Sequence, residues 1–499
     1  MTGDDWLPLL VVLSSLVTGL AIFFLKEEQF RLRTVLNLTG AIVKLVLVSI
    51  MLRGVFLSRQ YETRLPFLPE LDLVLRADAL ALLFVTLSAG LWFLTTIYAI
   101  GYLEESPNRS RFFGFFSLCV TATMGIALAG NLLTFFVFYE MLTLATYPLV
   151  IHRGTAAALR AGQIYLFYTL IGGAILLAGI AWLTVLAGPV EFTQGGALPN
   201  PTDQNTAALR IIFVLLIAGL GVKAALVPLH GWLPVAMVAP APVSALLHAV
   251  AVVKAGAFGI VRMVYDVFGI RLVADLGLLT PLAMAAALTI LYGSFRALAQ
   301  DDLKRRLAFS TISQVSYIVL GVGLLSPLAL IGGVVHLVHQ GIMKITMFFC
   351  AGNLAETLGI HRISEMNGVG RRMPWTMAAF SLAALGMIGV PPLAGFISKW
   401  YLGLGALEAD QSWALLILTG SALLNAAYFL PILHTAWFKP PLVDAWTDLH
   451  KNERFETKLS LLAPAVLMAL FTLGVGLFAG TLLSPLEWAK LIAEREFPP

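Results

Sequence analysis

Six side chains in this sequence are chemically out of place. Lys44, Lys223, Lys254, Lys344 and Lys399 each sit well inside a long apolar run, and Glu140, in NLLTFFVFYEMLTLATYPLV, is the only acid read as equally deep. A charge in a hydrocarbon setting costs about 2.5–3.5 kcal/mol on insertion scales, and a neighbouring leucine returns only a few tenths. One such residue is tolerable as an accident; five on separate helices ask for a common use. Lysines can snorkel to an interface or pair with an acid to hold helices together. Lys44, remote from any helix-breaking motif, fits that reading. Pairing cannot serve all five, because one deep carboxylate is available. A lysine without a counter-charge in a dry surrounding can gain and lose protons near neutral pH. Lys223, Lys254, Lys344 and Lys399 are therefore expected to carry protons.

Histidines join the pattern. His248 shares an apolar run with Lys254, and His336 and His339 precede Lys344 in HLVHQGIMK. Imidazole titrates near physiological pH and relays a proton through either nitrogen, although a lone membrane histidine can equally be a packed core residue. On helical spacing His336 lies about 80° and His339 about 140° around the helix from Lys344, so water would have to complete a path between them. His230, two residues after Pro228, reads as a structural or gating residue.

The elements that must hold these groups follow from composition. Of 499 residues, 59% are hydrophobic and 12% charged, with mean hydropathy +0.88. A soluble domain of this length would carry about twice that charge fraction. Apolar runs of roughly 20 residues recur from end to end, as membrane helices require. The first of them follows the acids Asp4 and Asp5 and is too long for a signal h-region, so no cleaved signal is expected. Cys119 and Cys350 stand singly and form neither a metal-ligand spacing nor a disulfide framework. No phosphate-binding glycine pattern opens a helix after a strand, so neither a nucleotide nor another cofactor, a metal or a nucleic acid is expected. The driving energy is expected to arrive as an ion gradient or through a partner.

Hydropathy predicts an all-α integral membrane fold of about 14 spans. They lie near 6–25, 34–57, 78–101, 112–130, 131–151, 161–187, 209–230, 236–262, 275–296, 307–325, 328–352, 374–404, 412–437 and 459–485. The inserts 58–77, 188–208 and 439–458 read as loops, and the tail after Pro485 as a short interfacial helix. Loops after odd-numbered spans hold roughly 18 cations, Lys304, Lys451 and Arg454 among them. Loops after even-numbered spans hold roughly 7, including Arg76 and Arg262. That bias places the odd loops in the cytoplasm and both termini outside.

Two predicted spans are interrupted. In GVKAALVPLHGWLP, Lys223 precedes Pro228; in GMIGVPPLAGFISKWYLGLG, Pro391, Pro392 and Gly395 precede Lys399. Apolar segments broken at matching positions of two halves point to inverted repeats. The reversed order of lysine and break assigns spans 4–8 (112–266) and 9–13 (267–438) to two such repeats. The N-terminal spans 1–3 occupy 1–111, and span 14 with the tail occupies 439–499. The breaks in spans 7 and 12 would let half-helix ends and water surround the lysines. Glu140 and Lys223 would pair when closed, and their separation would push the proton along Lys254, His248 and Lys344 to Lys399.

These stretches, with APVSALLHAVAVVKAG and DDLKRRLAFSTISQVSYI, resemble the antiporter-like subunits shared by respiratory complex I, membrane-bound hydrogenases and multisubunit Mrp-type cation/proton antiporters. The resemblance implies working residues at Glu140, Lys223, His248 with Lys254, and Lys399. With about 14 spans the chain is expected to lack the lateral helix of the largest complex I subunit. The HQGIMK spacing is most similar to the Mrp D-type pattern, and Gln340 departs from the complex I pattern. The resemblance thus implies a proton-translocating, Na+/H+ antiporter D-like component without a redox centre of its own. It would sit in the cell membrane among other small hydrophobic subunits, moving H+ and Na+ or K+. A proton-pumping subunit of complex I or of a hydrogenase, and the membrane subunit of an inorganic-carbon uptake complex, share the same scaffold. A passive scaffold with no ion path is the remaining class.

Overall fold

The computed structural model describes residues 3–56, 59–68, 71–104, 106–199, 205–441, 446 and 455–497. Lys451 and Arg454, and parts of the three expected loops, lie outside the described residues. The apolar runs form helices: α1 (Leu7–Phe23), α2 (Phe30–Phe56), α3 (Ala79–Tyr102), α4 (Arg109–Leu128), α5 (Leu132–Val150), α6 (Ala156–Ala187), α7 (Thr206–Lys223) and α8 (Ala241–Phe268). They continue as α9 (Leu279–Leu298), α10 (Leu303–Gly323), α11 (Pro327–Leu358), α12 (Pro374–Ile388), α13 (Ala394–Glu408), α14 (Trp413–Phe438), α15 (Leu459–Leu477) and α16 (Pro485–Glu496). Among the described residues, eleven helices are long and apolar enough to cross a membrane.

Polar residues at the ends of the apolar runs set several helix starts. Side chains of Asp78, Asn131, Thr155, Asp302 and Ser326 accept from the third backbone N–H beyond them and cap α3, α5, α6, α10 and α11. Proline at the first position of α11 and of α12 removes an N–H that has no helical partner there.

Burial sorts the helices into a core and a sleeve. The apolar window of α8 is 100% buried and that of α11 94%, whereas α6 and α14 each bury 33%. The latter present leucines and phenylalanines outward, as lipid-facing helices do. The core pair therefore carries its polar side chains where neither lipid nor bulk water reaches them.

Three expectations need correction. Segment 58–77 is not a plain loop: β1 (Tyr61–Leu68) and β2 (Leu71–Ala77) pair antiparallel, Tyr61 against Ala77 and Arg64 against Val74. Tyr61 and Thr63 point inward and Arg64 outward, the period-2 alternation of a half-buried strand. The register shifts between Pro66 and Leu68, beside a residue with no N–H to give. Second, α8 runs on to Phe268, so Arg262 is not a loop cation: it is 1% exposed and bonded to Asp78 and Asp266. Third, Asp266 lies inside that same helix, so Glu140 is not the only acid within a span.

Candidate functional site

Each broken span stops beside a lysine, because a proline-bearing stretch cannot continue the helix. α7 ends on Lys223 itself, and the chain unwinds over 224–231 past Pro228. The Trp232 indole N–H donates to the freed Val222 carbonyl at 2.7 Å, which satisfies one end group of the break. Lys223 donates to the Tyr139 carbonyl of α5 and lies 3.3 Å from the centre of the Tyr139 ring, a cation–π contact. Tyr139 in turn donates its hydroxyl to the Gly219 carbonyl at 3.1 Å, fastening α5 to α7.

Glu140 follows Tyr139 and turns toward α6. A Cβ on Gly173 would collide with Glu140 Oε1, so only glycine leaves room for the carboxylate there. That oxygen is buried and has no hydrogen-bond partner among the described residues. Glu140 and Lys223 are close enough to interact electrostatically, yet they form no ion pair. The expected closed pair is thus absent from this conformation, and Lys223 holds the adjoining peptide carbonyl instead.

The core helices carry the next groups. The N-terminal half of α8 contains a π-helical turn, Leu246–Val250, which widens the helix at His248, a frequent device at functional sites. The His248 ring stacks on Phe348 of α11 at 4.6 Å, and neither of its nitrogens has a hydrogen-bond partner among the described residues. Fully buried Lys254 donates to the Leu337 carbonyl of α11 at 2.7 Å. Beside Leu337, His336 Nδ1 is 2.8 Å from Ser398 Oγ on α13, and Ser398 precedes Lys399. Lys399 donates to the carbonyls of Met387 and Ile388 at 2.7 and 2.8 Å. Those are end carbonyls of α12, freed where Gly389 leaves the helix at φ +102° and carrying the partial negative charge of a helix C-terminus. The Tyr317 ring of α10 stands 5.2 Å from His336 and 5.5 Å from the Lys399 ammonium.

The structure therefore brings Lys254, His336 and Lys399 into one line across α8, α11 and α13. It turns Lys344 aside: its ammonium donates to Ser310 Oγ and to the Leu307 carbonyl of α10, the latter at 3.1 Å. His339 is buried, with the backbone of Ala394 at the start of α13 beside its ring. His230 sits edge-on to Tyr292 of α9 at 4.8 Å, beside the break that holds Pro228. Pro391 and Pro392 occupy the second break, which separates α12 from α13. Lys44 is buried far from these groups, donating to Ser15 Oγ at 2.6 Å with its ammonium 4.6 Å from the Trp92 ring. It holds α1, α2 and α3 together through a hydroxyl and a ring rather than an acid.

Sequence reasoning missed Ser398, Tyr317 and the Arg262 cluster. A neutral hydroxyl raises no alarm in an apolar helix, whereas Arg262 could have been paired with Asp266 from its i, i+4 spacing. Beside Arg262 the hairpin contributes a polar cleft of about 600 Å3, where hydrogen bonds from Arg64 hold Glu191 below the usual carboxylate range. No group of three or more His, Cys, Asp or Glu among the described residues is placed to hold a metal ion.

Residues 129–424 match the family described as NADH:quinone oxidoreductase/Mrp antiporter, TM, and 69–113 match the N-terminus of complex I chain 5. The N-type NADH-quinone oxidoreductase subunit of Desulforudis audaxviator is 34% identical, covering 96% of this chain and 97% of its own. The D-type Na(+)/H(+) antiporter subunit of Bacillus subtilis is 26% identical over 98% of this chain and 99% of its own. A chain in the Mrp complex structure from Dietzia superposes with a TM-score of 0.88 at 24% identity, covering 100% of this chain and 98% of that one.

Proposed function

Because the chain belongs to the NADH:quinone oxidoreductase/Mrp antiporter family of membrane subunits, we propose that it moves protons through a relay at mid-membrane depth. The residues are Glu140, Lys223, Lys254, His336 and Lys399, with His248, His339 and Lys344 flanking the line. One observation carries the reading: the Lys254 ammonium rests on the backbone next to His336, and His336 touches the serine next to Lys399. Two buried basic groups, Lys254 and His336, and the half-buried Lys399 thus link three helices of the two halves of the chain. Buried polar atoms on His248 and Gln340 that have no partner among the described residues flank the same route. Groups of that kind in a polar interior are satisfied by ordered water, which also passes protons.

In this reading the helices make about fourteen crossings, with α12 and α13 forming one broken crossing, and spans 4–8 and 9–13 are inverted repeats. The cation-rich loops face the cytoplasm and both termini face outward. The chain works inside a complex of several hydrophobic subunits in the cell membrane. The histidine spacing before Lys344 favours a gradient-driven antiporter role of the Mrp D kind, exchanging H+ for Na+ or K+. A redox-driven complex is the second reading, favoured by the 34% identity to a quinone oxidoreductase subunit.

The test is dequenching of a pH dye in vesicles containing the assembled complex. Sodium or potassium alone should drive proton movement if the first reading holds, and an electron donor should be required if the second does. Glu140→Ala, Lys223→Ala and Lys399→Ala should each abolish transport without loss of assembled protein. Retained transport in any two of them overturns the relay.

A further inference from the structure

α10 has a polar face that no step above uses. Ser310, Gln314 and Tyr317 follow one another at spacings of four and three, and so share one side of the helix, while Lys304 lies in its first turn about 120° around from Ser310. Ser310, Gln314 and Tyr317 are all fully buried. Ser310 accepts from the Lys344 ammonium, the Gln314 amide lies beside the Tyr317 hydroxyl, and the Tyr317 ring faces Lys399. The stripe thus starts at Ser310 and ends beside the last lysine of the relay, and Lys304 stands at the start of the same helix.

At its start lies a cleft of about 490 Å3, whose lining includes Tyr102, Arg153, Lys304, Arg305, Ala355 and His361. Thr155 and Ala157 on its rim are exposed, so the cleft opens outward. Lys304 is half-buried in its wall and makes no ion pair among the described residues. Its ammonium donates to the Ala239 carbonyl at 2.6 Å, in the stretch between the α7 break and α8, and lies 3.4 Å from Ser244 Oγ. Ser244 precedes His248 by four residues, about one helical turn, so the imidazole lies one turn beyond the cleft.

We propose that this cleft is the loading mouth of the relay, and that Lys304 is the residue that takes protons from the aqueous phase on the cation-rich face. As the free amine, Lys304 accepts a proton from hydronium and releases water. The proton then passes to the imidazole of His248 by way of Ser244, and no electrons move. The Ala239 carbonyl and Ser244 hydroxyl that hold Lys304 carry no fixed charge, and of the charged groups lining the cleft Asp302 attracts the ammonium while Arg153 repels it, so no ion pair among the described residues fixes the proton. This inference rests on the relay reading above.

Three substitutions and one label decide it, all in the assembled complex in vesicles. Lys304→Met should lower cation-driven or donor-driven proton movement at least tenfold. Lys304→Arg should lower it equally: arginine keeps the positive charge and the donors to Ala239 and Ser244 but cannot release a proton. Transport close to that of the unaltered complex in either variant overturns the proposal, the arginine result by showing that charge and hydrogen bonding alone are needed. Should the lysine variants fail to assemble, Ala355→Cys on the cleft wall replaces them. Cys119 and Cys350 are both buried, so a cationic thiol reagent applied from the cation-rich face labels the new residue. Labelling should slow transport at least tenfold, and labelled complex at full rate overturns the proposal. Lys223→Met and Lys399→Met run beside these: if they too transport normally, the relay itself fails, and if they alone are inactive, only the mouth is misassigned.

Discussion

At the scale of residues, the lysines of this chain differ in what holds them. Lys254 and Lys399 rest on backbone carbonyls, which stabilise an ammonium without fixing it as a carboxylate would. Lys254→Met is therefore expected to lower proton movement at least tenfold while leaving the melting temperature of the complex equal or higher, because the cost of burying a charge disappears with the charge. A sharp fall in melting temperature would mark Lys254 as a structural clamp instead. Lys44 makes the opposite case. Held by Ser15 and Trp92 away from the line, it predicts that Lys44→Met leaves transport within about twofold and changes stability by about 1 kcal/mol in either direction. Dye dequenching and thermal unfolding of the same preparation read both outcomes.

Helices turn these residues into a route, and here the sequence was only partly legible. The five lysines stood out because burying a charge is costly, so each one in an apolar run is an anomaly. The breaks stood out because proline and glycine have no other use at those places. What the lysines touch was not legible, since the carbonyls of Tyr139, Leu337 and Met387 belong to no residue type and leave no mark in a sequence. The hairpin was hidden because YETRLPFL mixes charge and proline into its alternation, and Arg262 was misread as a loop cation because a charge near the end of an apolar run reads as its boundary. The π-turn at His248 is set by packing and has no local signal. At this scale the contact between α5 and α6 offers a test. Gly173→Ala places a methyl where Glu140 now points, so the carboxylate must swing away and transport should fall about tenfold or more while the complex still assembles. Gly90→Ala on α3 meets nothing within 4 Å and should leave transport unchanged. Equal activity in the two would show that the position of Glu140 is unimportant.

For the molecule as a whole, the far end of the chain returns to meet its beginning. α16 packs against α3, where the Trp488 indole donates to the Ala79 carbonyl, and it places Glu496 in the cleft beside the hairpin. Burial, and then the neighbouring Asp266 and Asp78, push Glu496 up to about 7, against the pull of Arg262 and of the Gly195 N–H. An unfolded glutamate titrates near 4.5, so the docked carboxyl binds its proton more tightly than the free one. Docking of α16 is therefore strongest below pH 4.5, weakens as pH rises, and has lost on the order of 2 kcal/mol once pH passes 7. Hydrogen-exchange protection of residues 485–497 should fall between pH 5 and pH 8, and Glu496→Gln should flatten that dependence. Protection that rises with pH would reverse the sign of the argument.

The division between a wholly enclosed α8–α11 pair and an outer sleeve has one more consequence. Acyl chains can press only on the sleeve, so changes in bilayer thickness or headgroup charge should alter how tightly the protein sits among its neighbours far more than they alter the chemistry of its ammonium groups. Such a chain could serve in membranes of very different makeup with its inner wiring untouched.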